Sequence, residues 1–191
     1  MQKTVFRKKI INERLSLSRK DSLGKSIAIG QQLLDSPLYK NAVSIALYCD
    51  FRGEVKTDLI VRDAFISGKS VLMPKVKQED FSLFFIAVSS ENELEVNAMG
   101  FREPLIERGR KWEVEDVDLF IVPGVAFDER GNRLGMGKGC YDRALSCVKR
   151  ENIIALAYEF QLVEEVPSYH HDVKVGWIVT EKRFIRTLEN N

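Results

Sequence analysis

What the sequence lacks narrows the field first. It has no long apolar run: LFFIAV and LFIVPGVAF are its longest, far short of the roughly 20 residues of a membrane-spanning helix. The N-terminal MQKTVFRKKI is charged and has no apolar segment of the signal-peptide kind, so no export signal is expected. The three cysteines, Cys49, Cys140 and Cys147, are odd in number and lack CxxC spacing. They support neither a disulfide framework nor a zinc site, and a reducing cytoplasm is the expected compartment. Neither sign of charge dominates, with 29 Lys plus Arg against 28 Asp plus Glu. That balance argues against broad nucleic-acid or polybasic membrane binding and leaves room for a local basic pocket. The only histidines are adjacent, His170 and His171. Neighbours point in opposite directions on an extended chain, so surface or structural places are expected for both rather than metal ligation. Repeats, low-complexity runs and Pro/Gly/Ser linkers are missing too, and the 191 residues are expected to form one domain, 1–191.

What is present alternates. Residues 1–35 read as helical, with Val5, Phe6, Ile10 and Leu17 at near-helical spacing. Ser18 or Asp21 is placed to cap a second helix ending before Pro37. VSIALY (43–48), SVLMP (70–74), FSLFFIAV (81–88), LFIVPGVAF (119–127), NIIALAY (152–158) and GWIVT (176–180) read as strands. Thr57 is a candidate cap for the helix TDLIVRDAFISG, with Gly68 just past its end. Residues 89–116 read as mostly irregular, YDRALSCV as a helix and QLVEEV as a short one. Short apolar strands alternating with helices imply an α/β fold with a mostly parallel sheet covered on both sides. Ligands in such folds sit beyond the carboxyl ends of strands.

One stretch stands out: NRLGMGKGCYDRAL, residues 132–145. Gly135, Gly137 and Gly139 stand at alternate positions between a strand and a helix. Such a loop can turn backbone N–H groups toward one point, and glycine lets a ligand approach closely. The following helix adds free N–H groups and the positive end of its dipole, giving a cradle for an anion, with Arg133 and Lys138 adding full charges. It is neither a Walker-A loop nor a G-x-G-x-x-G fingerprint, and glycines alone would also suit a flexible surface turn. Asp142, one turn on, suits a magnesium ligand or a carboxylate stabilised by the helix dipole.

Read over a longer window, PGVAFDERGNRLGMGKGCYDR (123–143) resembles the signature of the 5-formyltetrahydrofolate cyclo-ligases, also called methenyltetrahydrofolate synthetases, which reads PG-[LV]-AFD-x-x-G-x-RLG-x-G-x-G-[FY]-YDR. Lys3 and Arg7 match a basic pair in that family's first helix. YCDFRGEVKT (48–57), GFREP (100–104), the His171-Asp172 pair and WIVTE (177–181) match further elements in order. The resemblance implies a three-layer α/β/α fold, Rossmann-like, and an ATP- and magnesium-dependent closure of 5-formyltetrahydrofolate to 5,10-methenyltetrahydrofolate through a phosphorylated formyl oxygen, releasing ADP and phosphate. It implies small-molecule partners only, and a monomer or weak homodimer.

The resemblance also assigns expected roles. Lys3, Arg7, Arg133, Leu134, Gly135, Gly137, Lys138, Gly139 and Tyr141 would hold ATP. Lys138, with Arg133, would stabilise charge on the transferring phosphoryl group. Asp142 and Asp172 would hold magnesium. Cys49, Glu54, Met136 and Cys140 would meet the folate, with the Glu54 carboxylate suited to pterin N–H donors. Phe51 could help to line that site, while Trp112 and Trp177 read as packing residues. From composition alone, Lys3 and Arg7 would be a solvated helix face beside Lys8, Lys9 and Arg14. Met136 and Cys140 replace residues that are often aromatic in the family, which touches substrate fit more than ATP binding. Cys140 is otherwise read as a small packed side chain. A non-catalytic folate- or nucleotide-binding protein on the same fold is the alternative. A sugar-phosphate or CoA-type enzyme comes behind it.

Overall fold

The computed structural model describes residues 3–77, 79–97, 100–105 and 110–187. The elements in chain order are α1 (Lys3–Ser16), α2 (Arg19–Asp35), α3 (Pro37–Asn41), β1 (Ser44–Ala46), α4 (Asp58–Ile66), β2 (Ser70–Val76), β3 (Leu83–Val88), β4 (Leu94–Val96), β5 (Arg102–Pro104), β6 (Arg110–Trp112), β7 (Leu119–Val122), β8 (Ala126–Phe127), β9 (Arg133–Leu134), α5 (Cys140–Ala144), β10 (Ile153–Leu156), β11 (Trp177–Val179) and β12 (Phe184–Arg186). No helix among the described residues is long and apolar enough to cross a membrane.

Eight strands form the main sheet in the order β12-β11-β10-β7-β1-β2-β3-β6. Its centre, β11 to β2, is parallel, with Ile45 opposite both Val71 and Leu119, and Ile154 opposite Ile121 and Trp177. Antiparallel strands finish both edges. The central strands LFIV and IIAL are buried at every position, as a parallel sheet covered on both faces requires. Alternate residues serve opposite faces. Ile45, Leu119, Ile121 and Ile154 join Ile29, Leu33 and Ile60 from α2 and α4. Ala46, Phe120, Val122 and Ile153 pack on the other face with Leu145 and the residues of α5. That second cover is thin, one short helix and loops. A third cluster seats α1, through Ile10, on Val125, Ala126 and Leu134.

Local chemistry sets the boundaries. The Ser18 hydroxyl accepts from the Asp21 amide at 3.0 Å and starts α2. Ser36 closes α2 and opens α3, whose first residue is Pro37. Gly68, at φ +69, follows α4 as expected. Four expectations need correction. Thr57 precedes α4 but does not cap it: its hydroxyl donates to the Tyr48 carbonyl at 2.9 Å and ties the helix start to the end of β1. Residues 89–116, as far as they are described, hold β4, β5 and β6 and two single 3₁₀ turns; these pieces are too short for periodicity to betray them. The turn near QLVEEV is a 3₁₀ turn at Glu159–Gln161, closed by the Gln161 side chain accepting from the Tyr158 amide, and the helix from Cys140 stops at Ala144.

Candidate functional site

Loops leaving the carboxyl ends of β1 and β7 meet α1, the glycine loop and residues 169–172 around one open cleft of about 1000 Å³. Every site residue expected from the sequence lines it: Lys3 and Arg7; Cys49 and Glu54; the run from Arg133 through Asp142; and Asp172. The roles remain to be argued, but the placement brings together residues up to 169 positions apart.

The glycine loop is cationic before any ligand is considered. Arg7 Nε donates to the Gly135 carbonyl at 2.8 Å, and Arg143 Nη1 donates to the Lys138 carbonyl at 3.0 Å. The loop's negative ends are thus answered by guanidinium groups. Gly137 and Gly139 adopt φ of +98 and +65, which side chains rarely tolerate. A Cβ at Gly137 would also lie 3.4 Å from the Arg7 guanidinium carbon. Lys138 is exposed, with its Nζ 4.4 Å from the centre of the Phe81 ring. Phe81 itself has φ +56, an outlier for a bulky residue, and its carbonyl accepts from Arg143 Nη2 at 2.9 Å. The α5 helix has only five residues, so the dipole contribution expected there is small, and side-chain cations carry most of the positive charge.

The two aspartates stand against cations. Arg133 Nη2 donates to Asp142 Oδ1 at 2.8 Å, and the Val173 amide reaches the same oxygen at 3.2 Å. Asp172 Oδ2 accepts from the Tyr169 amide at 2.8 Å and lies 3.5 Å from Lys3 Nζ. Folding therefore closes the 30-residue separation of these carboxylates onto one wall. Among the described residues no group of three or more His, Cys, Asp or Glu forms a metal cage. Two carboxylates suit a cation that also takes phosphate oxygens and water, as magnesium does, better than a resident metal with an all-protein shell. His171 lines the cleft and stacks on Tyr169, with its side chain largely exposed.

The opposite wall is drier. The Glu54 side chain is only 13% exposed, accepts from the Phe51 amide at 3.0 Å, and has Arg14 Nη1 3.9 Å away. Burial pushes its carboxyl up to about 7, against the pull of Arg14 and the Phe51 amide. Burial likewise pushes the Cys49 thiol up to about 11, so Cys49 is an unreactive packing surface against the Met73 sulfur, 4.0 Å away. Phe51 lines the cleft and meets Phe101 edge-on at 5.5 Å. Met136 is 47% exposed, and Cys140 is half-buried beside it. The tryptophans lie elsewhere: Trp177 packs on Phe184, and Trp112 against the core face that carries α5. Sequence reasoning missed Phe101, Arg102, Phe81 and Tyr169 as lining residues, and Arg14 behind them. Phe101 and Arg102 stand inside GFREP and could have been read from it; the others depend on tertiary placement alone.

Comparison with known proteins identifies the family and the fold. The model of the 5-formyltetrahydrofolate cyclo-ligase family matches residues 1–181. The 5-formyltetrahydrofolate cyclo-ligase of Haemophilus influenzae is 33% identical over 149 residues, 76% of this chain and 80% of that protein. The mouse 5-formyltetrahydrofolate cyclo-ligase is 29% identical over 176 residues, 87% of each. The solution structure of Aquifex aeolicus 5,10-methenyltetrahydrofolate synthetase superposes with a TM-score of 0.87 at 36% identity, covering 100% of this chain and 95% of that one.

Proposed function

The chain belongs to the 5-formyltetrahydrofolate cyclo-ligase family, a family of enzymes, and from that premise we propose that it closes 5-formyltetrahydrofolate to 5,10-methenyltetrahydrofolate at the expense of ATP. The observation that carries this reading is that one cleft holds both a cation-lined glycine loop and a buried carboxylate. The loop matches a triphosphate, and the carboxylate matches the N–H donors of a reduced pterin.

The formyl carbon is amide-like and a poor electrophile, and its oxygen is a poor leaving group. Attack of that oxygen on the γ-phosphorus, with ADP leaving, makes it a good one. The neighbouring folate nitrogen then attacks the formyl carbon, phosphate departs, and the proton of that nitrogen passes to solvent. The chain's task is alignment and charge stabilisation. Lys138 is exposed on the loop and able to swing from the Phe81 ring to the transferring phosphoryl group, a role that moves no proton. Lys3, Arg7 and Arg133 hold the phosphates, with the backbone from Leu134 to Gly139 and the Tyr141 ring beside them. Asp142 and Asp172 would hold the magnesium ion that accompanies ATP, which supplies further neutralisation of phosphate charge when bound. Glu54 accepts from the pterin, and Cys49, Met136 and Cys140 supply packing surface. Three free thiols suit a reducing cytoplasm, where we place the reaction, carried out by a monomer or weak homodimer.

The test is spectrophotometric. With 5-formyltetrahydrofolate, ATP and magnesium, the protein should form an absorbing methenyl product and one ADP per turnover. Tight folate binding by calorimetry with no ATP turnover at any magnesium level would instead establish a non-catalytic binding protein.

A further inference from the structure

Arg14 has no place in the roles above, yet it is the most completely buried charged group near the cleft, at 2% exposure. It sits in the last turn of α1. Residues 3, 7 and 14 of a helix fall on one face, and Arg14 lies about 10 Å along the axis from Arg7. The same face of α1 therefore sends Lys3 to Asp172 and Tyr169, Arg7 to the glycine loop and Arg14 to the opposite wall. Lys8 and Lys9, off that face, are exposed.

Its contacts all converge on the Glu54 turn and the strand end beside it. Arg14 Nε donates to the Arg52 carbonyl at 2.9 Å, and Nη1 donates to the Gly124 carbonyl at 3.3 Å and lies 3.9 Å from Glu54 Oε1. Arg52 and Gly53 both have positive φ, +49 and +72, a backbone that non-glycine residues such as Arg52 adopt uncommonly. A Cβ on Gly53 would meet the Arg14 stem and carbonyl at 3.4 Å, so the turn is folded directly against the arginine. Gly124 and Glu54 line the cleft, whereas Arg14 stands behind them. Fold stability does not account for the residue. Among the described residues Arg14 Nη2 is buried without a hydrogen-bond partner, and a buried charge with unmet donors is no better for folding than an apolar side chain of similar size.

We infer that Arg14 is the positioning residue for Glu54, fixing the place of the carboxylate from behind the cleft and keeping it ionised for a pterin to donate to. This rests on the reading of the Glu54 wall as a pterin site. The other groups facing Glu54 cannot replace Arg14. Asp50, on the same loop, opposes ionisation, burial holds the Tyr48 and Tyr141 phenols neutral, and the Tyr158 hydroxyl donates to the Glu54 carbonyl rather than to its carboxylate. Arg52, on the turn itself, faces Arg14 through its carbonyl. The Phe51 amide helps, but it belongs to the turn that Arg14 holds.

The experiment is equilibrium binding of 5-formyltetrahydrofolate without ATP, from about pH 6 to 9, with ADP binding and thermal unfolding as parallel readouts. In the full chain, folate affinity should fall as pH drops through about 7, as Glu54 takes up its proton. In Arg14→Met that midpoint should move up by about one pH unit, leaving affinity about five-fold weaker at pH 7 and close to normal at pH 9. ADP affinity should be unchanged. Should the methionine variant not fold, Arg14→Gln removes the charge while keeping a polar side chain and should show the same displacement. Glu54→Gln should lose affinity at every pH without a midpoint. If the affinity–pH curve of the Arg14 variant superimposes on that of the parent, or if folate and ADP binding weaken alike at all pH values, Arg14 is merely structural and the inference is overturned. If the unaltered protein binds ADP but no 5-formyltetrahydrofolate at any pH, the pterin reading itself falls, a result distinguishable from either.

Discussion

On the cation wall of the cleft, three charges rest against a partner that a ligand can displace: Lys3 against Asp172 and the Tyr169 ring, Arg133 against Asp142, Lys138 against the Phe81 ring. On the carboxylate wall, Glu54 is fixed by burial, by a backbone amide and by an arginine behind it, with little to exchange. Lys138 is exposed and the Lys3 pair partly solvated, so these contacts contribute about 0–1 kcal/mol each to stability and can be rearranged at small cost when a polyanion arrives, whereas Arg133 is buried on its Asp142 partner. Desolvation of the second kind costs stability, and in return gives a group whose charge responds to pH near neutrality. Substitutions on the first wall should therefore cost function without stability, whereas on the second the two should move in opposite directions.

Lys138→Ala is the most severe test of the first half of that contrast. Loss of a charge that acts on the transferring phosphoryl group should lower kcat by about 10²–10³-fold. Lys138 is exposed, so the melting temperature should hardly move. Turnover within a few-fold of the parent would remove Lys138 from the mechanism. A large drop in melting temperature would deny that the cation wall is energetically loose.

Glu54→Gln tests the second half. Pterin donors lose a charged acceptor, so folate KM should rise by about 10–100-fold. Stability should move the other way. The Glu54 carboxyl titrates at about 7 in the fold against an ordinary 4.5. Between those values the folded chain holds a proton that the unfolded chain releases, so stability falls as pH rises, and the penalty is complete above about 7. Glu54→Gln removes this slope. It should be more stable than the parent above pH 7, by about 1–3 kcal/mol, with the gain fading toward pH 4.5. Parallel unfolding curves at pH 5 and pH 8 would show no such linkage and would break the comparison.

The same contrast explains what was legible in the sequence. The sheet was readable because its central strands are uniformly apolar and its helices amphipathic, and the glycine loop because its composition is unusual and its motif long. Glu54 was readable from a motif; the state of its carboxyl was not, because that depends first on burial and then on Arg14, 40 residues away. In sequence Arg14 is one basic residue among several in a helix, indistinguishable from Lys8 and Lys9 until docking buries one and leaves the others in water. Thr57 misled for a related reason: a capping residue in the right place was taken by the carbonyl of Tyr48, which only the folded chain brings near. Local chemistry is written in local sequence; the charge state of a buried group is written in what surrounds it.

Gly137→Ala probes how far the loose wall can be disturbed. At φ +98 a Cβ costs about 1–2 kcal/mol in backbone strain and would touch the Arg7 guanidinium at ordinary contact distance. ADP affinity should fall about ten-fold, while folate affinity, set chiefly by Glu54 on the other wall and only in part by Met136 and Cys140, should fall much less. Equal weakening of both ligands would show that the two walls are not independent.

The smallest effect is expected at Lys3. Its ammonium is 3.9 Å from the centre of the Tyr169 ring and 3.5 Å from Asp172, with a side chain about one-fifth exposed. To reach a phosphate it must give up both contacts, so its net gain on binding is a difference between two similar interactions in a partly solvated place. Lys3→Ala should therefore raise the KM for ATP by only about two- to five-fold, with kcat nearly unchanged. The ratio to the parent should shrink further at high salt, because screening weakens what remains of the difference. Arg7 is not in the same position: its guanidinium holds the Gly135 carbonyl and can keep that bond while a phosphate approaches. If Lys3→Ala proves as damaging as Lys138→Ala, the resting pair with Asp172 is not a partner to be exchanged but part of the working site, and the wall described here as loose is as preorganised as the one that carries Glu54.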